Sequence, residues 1–172
     1  MSLGQQLLTP LPGYRLRPGS LRDQALLVKF MQRTYQEVQS EQNFSHLAHT
    51  VEQYFSNQTP LWLVETEANQ PFSRPARQAV ACLWIGNAVD QVYGDRYAHI
   101  FLLYVLPEHR RRGIGSALLQ YAEAWAKARG DRQIGLQVFQ ANQQALALYQ
   151  NLGFQTQSLL MVKSIAEGES VS

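Results

Sequence analysis

Two hydrophobic rhythms alternate along this chain, and each change of rhythm marks a change of element. Tyr14–Arg17 reads as a short first strand. Ser20 followed three residues later by Asp23 has the form of a capping box, and Leu26, Leu27, Phe30, Met31, Tyr35 and Val38 continue a helical stripe behind it. Phe44–Phe55 predicts a second, shorter helix. Leu61–Glu67 and Gln78–Ala88 predict two antiparallel strands, joined by a loop, Ala68–Arg77, that carries Pro71 and Pro75. After the loop Gln91–Arg96 comes the apolar strand Ala98–Val105, whose alternation puts Ala98, Ile100, Leu102 and Tyr104 on one face and His99, Phe101, Leu103 and Val105 on the other. Ile114, Ala117, Leu118, Tyr121, Ala122, Trp125 and Ala128 then keep the spacing of a helix with one buried face, which Gly130 stops. A short β-like run, Gln133–Phe139, a helix over Asn142–Phe154 and a last strand complete the order β, α, α, β, β, β, α, β, α, β. The pattern predicts one α/β domain over residues 1–172, with 1–13 a loose lead-in and 164–172 a flexible tail.

Composition fits that picture. A chain of 172 residues is long enough for one well-buried core and short for two. The net charge of +2 is too small to argue for nucleic acid, and no basic and aromatic face stands out beyond one loop. The single cysteine, Cys82, lies in an apolar run and reads as a small core hydrophobe rather than a nucleophile. Four scattered histidines give no zinc spacing, so no metal is expected. No stretch has the length of a membrane span, and the N-terminus lacks a signal-peptide pattern; the expected location is the cytoplasm, with no membrane partner.

The chemistry is concentrated in Val105–Ser116, VLPEHRRRGIGS, where a strand crosses a basic loop into a helix. Glycines permit close backbone approach to a ligand, and a helix start leaves N–H groups without partners. With Arg110, Arg111 and Arg112 and the positive end of the helix dipole, the segment reads as a phosphate or pyrophosphate site, contacted mainly through the backbone N–H groups of residues 111–116. A solvated basic turn is the plainer alternative. It is not a Walker loop, because no Lys and Ser/Thr pair follows Gly113 with the required spacing, and it is not a dinucleotide fingerprint, because the third glycine is missing.

The loop, Arg-x-x-Gly-x-Gly over Arg110, Gly113 and Gly115, resembles motif A of the GNAT superfamily of N-acetyltransferases. About 30 residues on, Asn142, Ala145, Leu148, Tyr149, Gly153 and Phe154 resemble its motif B, Asn-x-x-Ala-x-x-Leu-Tyr-x-x-x-Gly-Phe. The resemblance covers Tyr14 to Lys163 in element order, with its specific motifs in Ala98–Phe154. It implies the GNAT fold, a mixed and mostly antiparallel central sheet flanked by helices, and acetyl-CoA as co-substrate. It implies that the pyrophosphate lies on Arg110, Arg111, Arg112, Gly113, Ile114, Gly115 and Ser116, and the pantetheine arm along Leu103, Tyr104 and Val105. Asn142 is then placed near the arm or the leaving sulfur, and Tyr149 as general acid to the thiolate.

Some members of that superfamily carry a glutamate base six residues before the position matching Val105; here His99 stands there. Histidine suits a base near neutral pH, and an equally plain reading makes it a structural residue. Glu65, Asp90 and Asp95 are weaker rivals, since nothing in the sequence aims them at a thioester. The expected activity is direct transfer of acetyl from acetyl-CoA to a primary amine through a ternary complex, with a non-catalytic acyl-CoA sensor as the alternative. A small molecule, a peptide N-terminus, a protein lysine and an aminoglycoside all remain open as acceptors. Tyr35, Phe44, Tyr54, Trp84, Tyr93 and Tyr97 are candidates for an aromatic pocket, and a homodimer is possible.

Overall fold

The computed structural model describes residues 11–39, 43–67 and 77–165. The predicted link between the second and third strands therefore lies largely outside the described residues, as do most of the lead-in and most of the tail. Five strands form one sheet in the order β1 (Tyr14–Pro18), β2 (Leu61–Thr66), β3 (Ala79–Val89), β4 (Arg96–Val105) and β5 (Ile134–Leu136). Neighbours are antiparallel except β4 and β5, which run parallel. The helices are α1 (Gln24–Val38), α2 (His46–Tyr54), α3 (Ile114–Ala128) and α4 (Gln143–Asn151).

Ring contacts assign the helices to opposite faces of a sheet whose central strands are buried on both. Trp62 points to one face, where its ring meets Tyr121 (5.2 Å) and Trp125 (5.7 Å) of α3. Trp84 points to the other, against Phe55 just past α2, and Tyr104 meets Phe30 of α1 on that same face. Leu27, Leu63, Leu83, Ile85, Ile114 and Leu118 are fully buried between these layers, which is where most of the apolar area leaves water. Cys82 is buried among them, and burial pushes its thiol well above the usual range, as expected of a core residue.

The capping box forms, but on a single 3-10 turn, Leu21–Asp23, that precedes α1: the Ser20 backbone N–H donates to Asp23 Oδ2 (2.8 Å). Asp23 also accepts from Arg17 (2.8 Å), whose guanidinium holds its carboxyl below the usual range, and Arg17 Nε donates to Glu65 Oε1 (2.6 Å). Gly130, at φ +83°, follows α3 as the predicted stop.

Three expectations fail in informative ways. The strict alternation along β4 is broken by a bulge: Trp84 pairs with Leu102 but Ile85 pairs with Ile100, so Phe101 is the extra residue. His99, opposite Gly86, consequently shares the Trp84 face with Leu102 and Tyr104 instead of facing away from them. The strand predicted over Gln133–Phe139 is paired only from Ile134 to Leu136. No last strand forms among the described residues after Phe154. Leu159, Leu160, Met161 and Val162 are instead 78, 85, 87 and 73 % exposed.

Candidate active site

The early end of β5 shapes the site. Its pairing to β4 covers only Ala98, His99 and Ile100, whereas β4 runs on to Val105. From Phe101 onward the outer edge of β4 has no strand beside it among the described residues, so its peptide groups line a wedge that opens toward the loop. The bulge at Phe101, in the pairing of β4 with β3, sits at the apex of this wedge.

At the wide end, α3 begins with Gly113 as its N-cap, at φ +81° and with no side-chain cap bond. Its first N–H groups are thus left for a ligand, at the positive end of the helix dipole. Ile114 anchors this turn in the core, and Ser116 is half-buried beside it. The two motif glycines serve different needs. Gly113 takes a left-handed conformation that favours glycine, whereas a Cβ on Gly115 would lie 3.3 Å from Leu148 Cδ2, so that glycine lets α4 pack on the first turn of α3.

The three arginines are likewise unequal. Arg110 donates from Nε to the Val105 carbonyl (2.9 Å) and from its terminal nitrogen to both Glu37 oxygens (2.8 Å each). Arg112 donates to Tyr14 Oη (2.8 Å), which in turn bonds His109 Nδ1 (2.8 Å). Arg111, exposed and at φ +63°, has no side-chain partner among the described residues. Arg110 and Arg112 therefore brace the loop; Arg110 is neutralised by Glu37, whereas Arg111 has no tie and Arg112 is held only by a neutral hydroxyl, so both keep a charge for an anion.

Asn142 is the N-cap of α4: its Oδ1 accepts from the Ala145 N–H (3.1 Å). Tyr149, two turns along, is half-buried with its ring 5.8 Å from Phe154. Burial pushes its phenol up to about 12, so it keeps its proton across the physiological range.

His99 lies just before the bulge, between two glycines: Gly86 on β3 and Gly135 on β5 are its direct neighbours across the sheet. The Phe101 ring folds over Gly86, and the Tyr97 ring over Gly135. Both rings meet the imidazole, at 5.5 Å for Phe101 and 6.4 Å for Tyr97. His99 Nδ1 is buried without a hydrogen-bond partner, and burial lowers its pKa below the usual 6.5. A Gly86→Ala change would drive a Cβ into the Phe101 ring. It should destabilise the protein by about 1–3 kcal/mol, read as a lowered Tm; an unchanged Tm would mean that the ring is free to move.

The rival acids are committed elsewhere. Glu65 is buried against Arg17, Asp90 caps the Val92 N–H (2.8 Å) and accepts from Gln133, and Asp95 pairs with Arg132. Of the aromatic candidates, Tyr35 touches both Phe44 (6.0 Å) and Phe139 (5.8 Å), bridging α1 to the segment past β5, and Tyr54 meets Phe101 (6.3 Å). Trp84 is core, and Tyr93 is exposed on the far loop.

Sequence reasoning missed Glu37, Tyr14 and His109, the partners that hold the arginines. Glu37 left one signal, an acid in the last turn of a helix, where the dipole disfavours it. Among the described residues no cluster of three or more His, Cys, Asp or Glu is placed to hold a metal ion, and no helix is long and apolar enough to cross a membrane.

Comparison with known proteins points the same way. The model of the acetyltransferase (GNAT) family matches residues 27–154. An uncharacterized N-acetyltransferase of Methanocaldococcus jannaschii is 37% identical over 92 residues, covering 51% of this chain and 39% of that protein. An aminoglycoside N(6')-acetyltransferase type 1 of Acinetobacter genomosp. 13 is 36% identical over 81 residues, 45% of this chain and 56% of that protein. The chain thus spans less than two thirds of the length of these relatives. Among solved structures, a proposed acetyl transferase from Pyrococcus furiosus superposes with a TM-score of 0.69 at 25% identity, over 88% of this chain and 99% of that one. With the family match spanning both motifs and the wedge between them, the chain belongs to the GNAT family of acetyltransferases.

Proposed function

We propose that the protein transfers the acetyl group of acetyl-CoA directly to a primary amine, in a complex that holds donor and acceptor together. The observation that carries this reading is the wedge beside β4 running into the uncapped start of α3. A long ligand with an anionic middle and a flexible amide-bearing arm fits that shape. Its phosphates would meet the N–H groups of residues 113–116 and the free Arg111, and its arm the peptide edge at Leu103 and Tyr104. The Val105 carbonyl is already taken by Arg110 Nε, so Val105 contributes less than its neighbours.

When bound, acetyl-CoA supplies an activated acetyl group; the chain's task is to manage two protons. A lysine-like amine has a pKa of about 10.4 and must lose a proton to attack. His99, neutral at pH 7 because burial disfavours its charged form, is the group at the apex able to accept one. Tyr149, protonated throughout, offers a proton to the departing sulfur. The thiol it would form has an ordinary pKa of about 8.5, so full transfer runs uphill and the phenol acts chiefly as a hydrogen-bond donor while charge develops. The buried Cys82 thiol is not available to carry the acetyl group, which favours direct transfer.

The acceptor is a small-molecule or peptide amine. The relative named as an aminoglycoside N(6')-acetyltransferase supports an amine acceptor without choosing one for this chain. The primary test is ligand stabilisation. Acetyl-CoA at 100 times its dissociation constant should stabilise the fold by about 2.7 kcal/mol, seen as a raised Tm. No shift at any concentration would remove the cofactor from the reading.

His99 makes a separate, pH-dependent prediction. Its depressed pKa moves the acidic limb of kcat/KM below 6.5, and His99→Gln should be slower near neutrality and lose that limb. A variant with the parent's rate and the parent's limb would make His99 structural. The same group affects stability: the unfolded chain takes the proton first, so this contribution is intact above about 6.5 and is lost as pH falls through the lower native value.

A further inference from the structure

We propose that Glu37 is a positioning residue that couples the last turn of α1 to the cofactor loop through Arg110. The proposal rests on the reading of that loop as the acetyl-CoA site. A carboxylate in the last turn of a helix sits at the negative end of the dipole, and α1 has no basic residue there to offset it. The groups that donate to Glu37 explain its place. Arg110 reaches both of its oxygens, and the Tyr104 hydroxyl donates to Oε1 at 2.7 Å. The Arg110 guanidinium also lies 5.4 Å from the Tyr104 ring centroid and holds the Val105 carbonyl through Nε. One side chain thereby fastens the end of β4, the start of the loop and α1 to one another.

The chain reverses directly after this fastening. Arg110 is extended, and Arg111 is the only non-glycine residue at positive φ among the described residues. Such a conformation persists only where its surroundings over-determine it. Two side-chain ties flank it, Glu37–Arg110 on one side and Tyr14–Arg112 on the other. A ligand that engages residues 111–116 therefore bears on the Arg110 tie, and through it on the turn of α1 that carries Glu37. Two residues earlier on that helix, Tyr35 touches Phe139 on the opposite side of the wedge. The last turns of α1 thus bridge both walls of the cleft, and Glu37 links cofactor binding to its geometry. If Glu37 served only to neutralise Arg110, its removal would free a positive charge for the phosphates and strengthen binding.

The test is hydrogen exchange on the full chain with and without saturating acetyl-CoA, read by mass spectrometry, together with the acetyl-CoA dissociation constant. In the parent, acetyl-CoA should slow exchange at residues 111–117 and also at residues 35–39. In Glu37→Gln the protection at 35–39 should vanish while that at 111–117 remains, and affinity should fall about fivefold or more. Arg110→Lys, which cannot hold the carbonyl and both carboxylate oxygens together, should reproduce the loss, and the double variant should add little to it. Protection at 35–39 that survives in Glu37→Gln, or tighter binding by that variant, would overturn the coupling. Protection confined to 111–117 in the parent would also overturn it. No protection anywhere in the parent would refute the loop reading itself.

Discussion

Gly113→Val is expected to abolish the stabilisation of the protein by acetyl-CoA. Gly113 sits at φ +81° as the N-cap of α3, in a region that costs an L-residue roughly 1–2 kcal/mol and a β-branched one more. The added Cβ itself has room, since its nearest neighbour would be Leu11 Cδ2 at 3.9 Å. The protein should therefore still fold, with a somewhat lower Tm. The backbone relieves its strain by leaving the left-handed region, and the N–H groups of Ile114, Gly115 and Ser116 then no longer converge on one point. Gly94→Val is the control. It imposes similar strain at φ +73° with nothing near its Cβ, in the turn before β4, so it should lower Tm yet keep the full response to acetyl-CoA. A folded Gly113→Val protein that responds like the parent would dissociate the loop from cofactor binding.

The second large effect is on turnover. Tyr149→Phe removes one hydroxyl that has no partner among the described residues and leaves the ring packed against Phe154. Stability and acetyl-CoA affinity should barely change. Loss of a positioned proton donor should lower kcat by roughly 10²–10⁴-fold. Because burial holds the phenol near 12, no alkaline loss of activity below about 10 should trace to Tyr149 in the parent. Full activity in the variant would reassign the residue to packing and return the binding-module alternative to the foreground.

Much of this fold was legible because its elements obey local rules. The stripe from Ile114 to Ala128 and the stop at Gly130 were readable from spacing alone, as was the capping box at Ser20, although it starts a 3-10 turn first. The two motifs located the loop and α4. Hidden in the sequence were the relations between elements distant along the chain. The bulge at Phe101 is a property of the pairing with β3, and it inverted the expected face of His99. The early end of β5, which opens the wedge, left no mark in QIGLQVF, whose apolar residues continue through Val138 and Phe139. Three arginines in a row look equivalent until Glu37 and Tyr14, 73 and 98 residues away, are seen to claim two of them. Gly86 and Gly135, which frame His99, are unremarkable in one dimension and informative only as its cross-strand neighbours.

A cavity of about 320 Å³ opens beside the Glu37–Tyr104 contact, lined by Arg33, Gln36, Glu37, Tyr104, Pro107 and Glu108, and the aromatic bridge from Tyr35 to Phe139 lies across the cleft from β4. Neither motif extends to these residues.

The most direct measurement tracks free thiol released from acetyl-CoA while the parent protein is offered a panel of amines: aminoglycosides, polyamines, lysine-bearing peptides and peptides with free N-termini. At least one amine should give thiol and acetylated amine in equal amounts, with the acetyl group on nitrogen by mass spectrometry, and Tyr149→Phe should slow both together. Tight acetyl-CoA binding with no thiol release above the amine-free rate for any member of the panel would contradict transfer and make the protein an acyl-CoA-binding module.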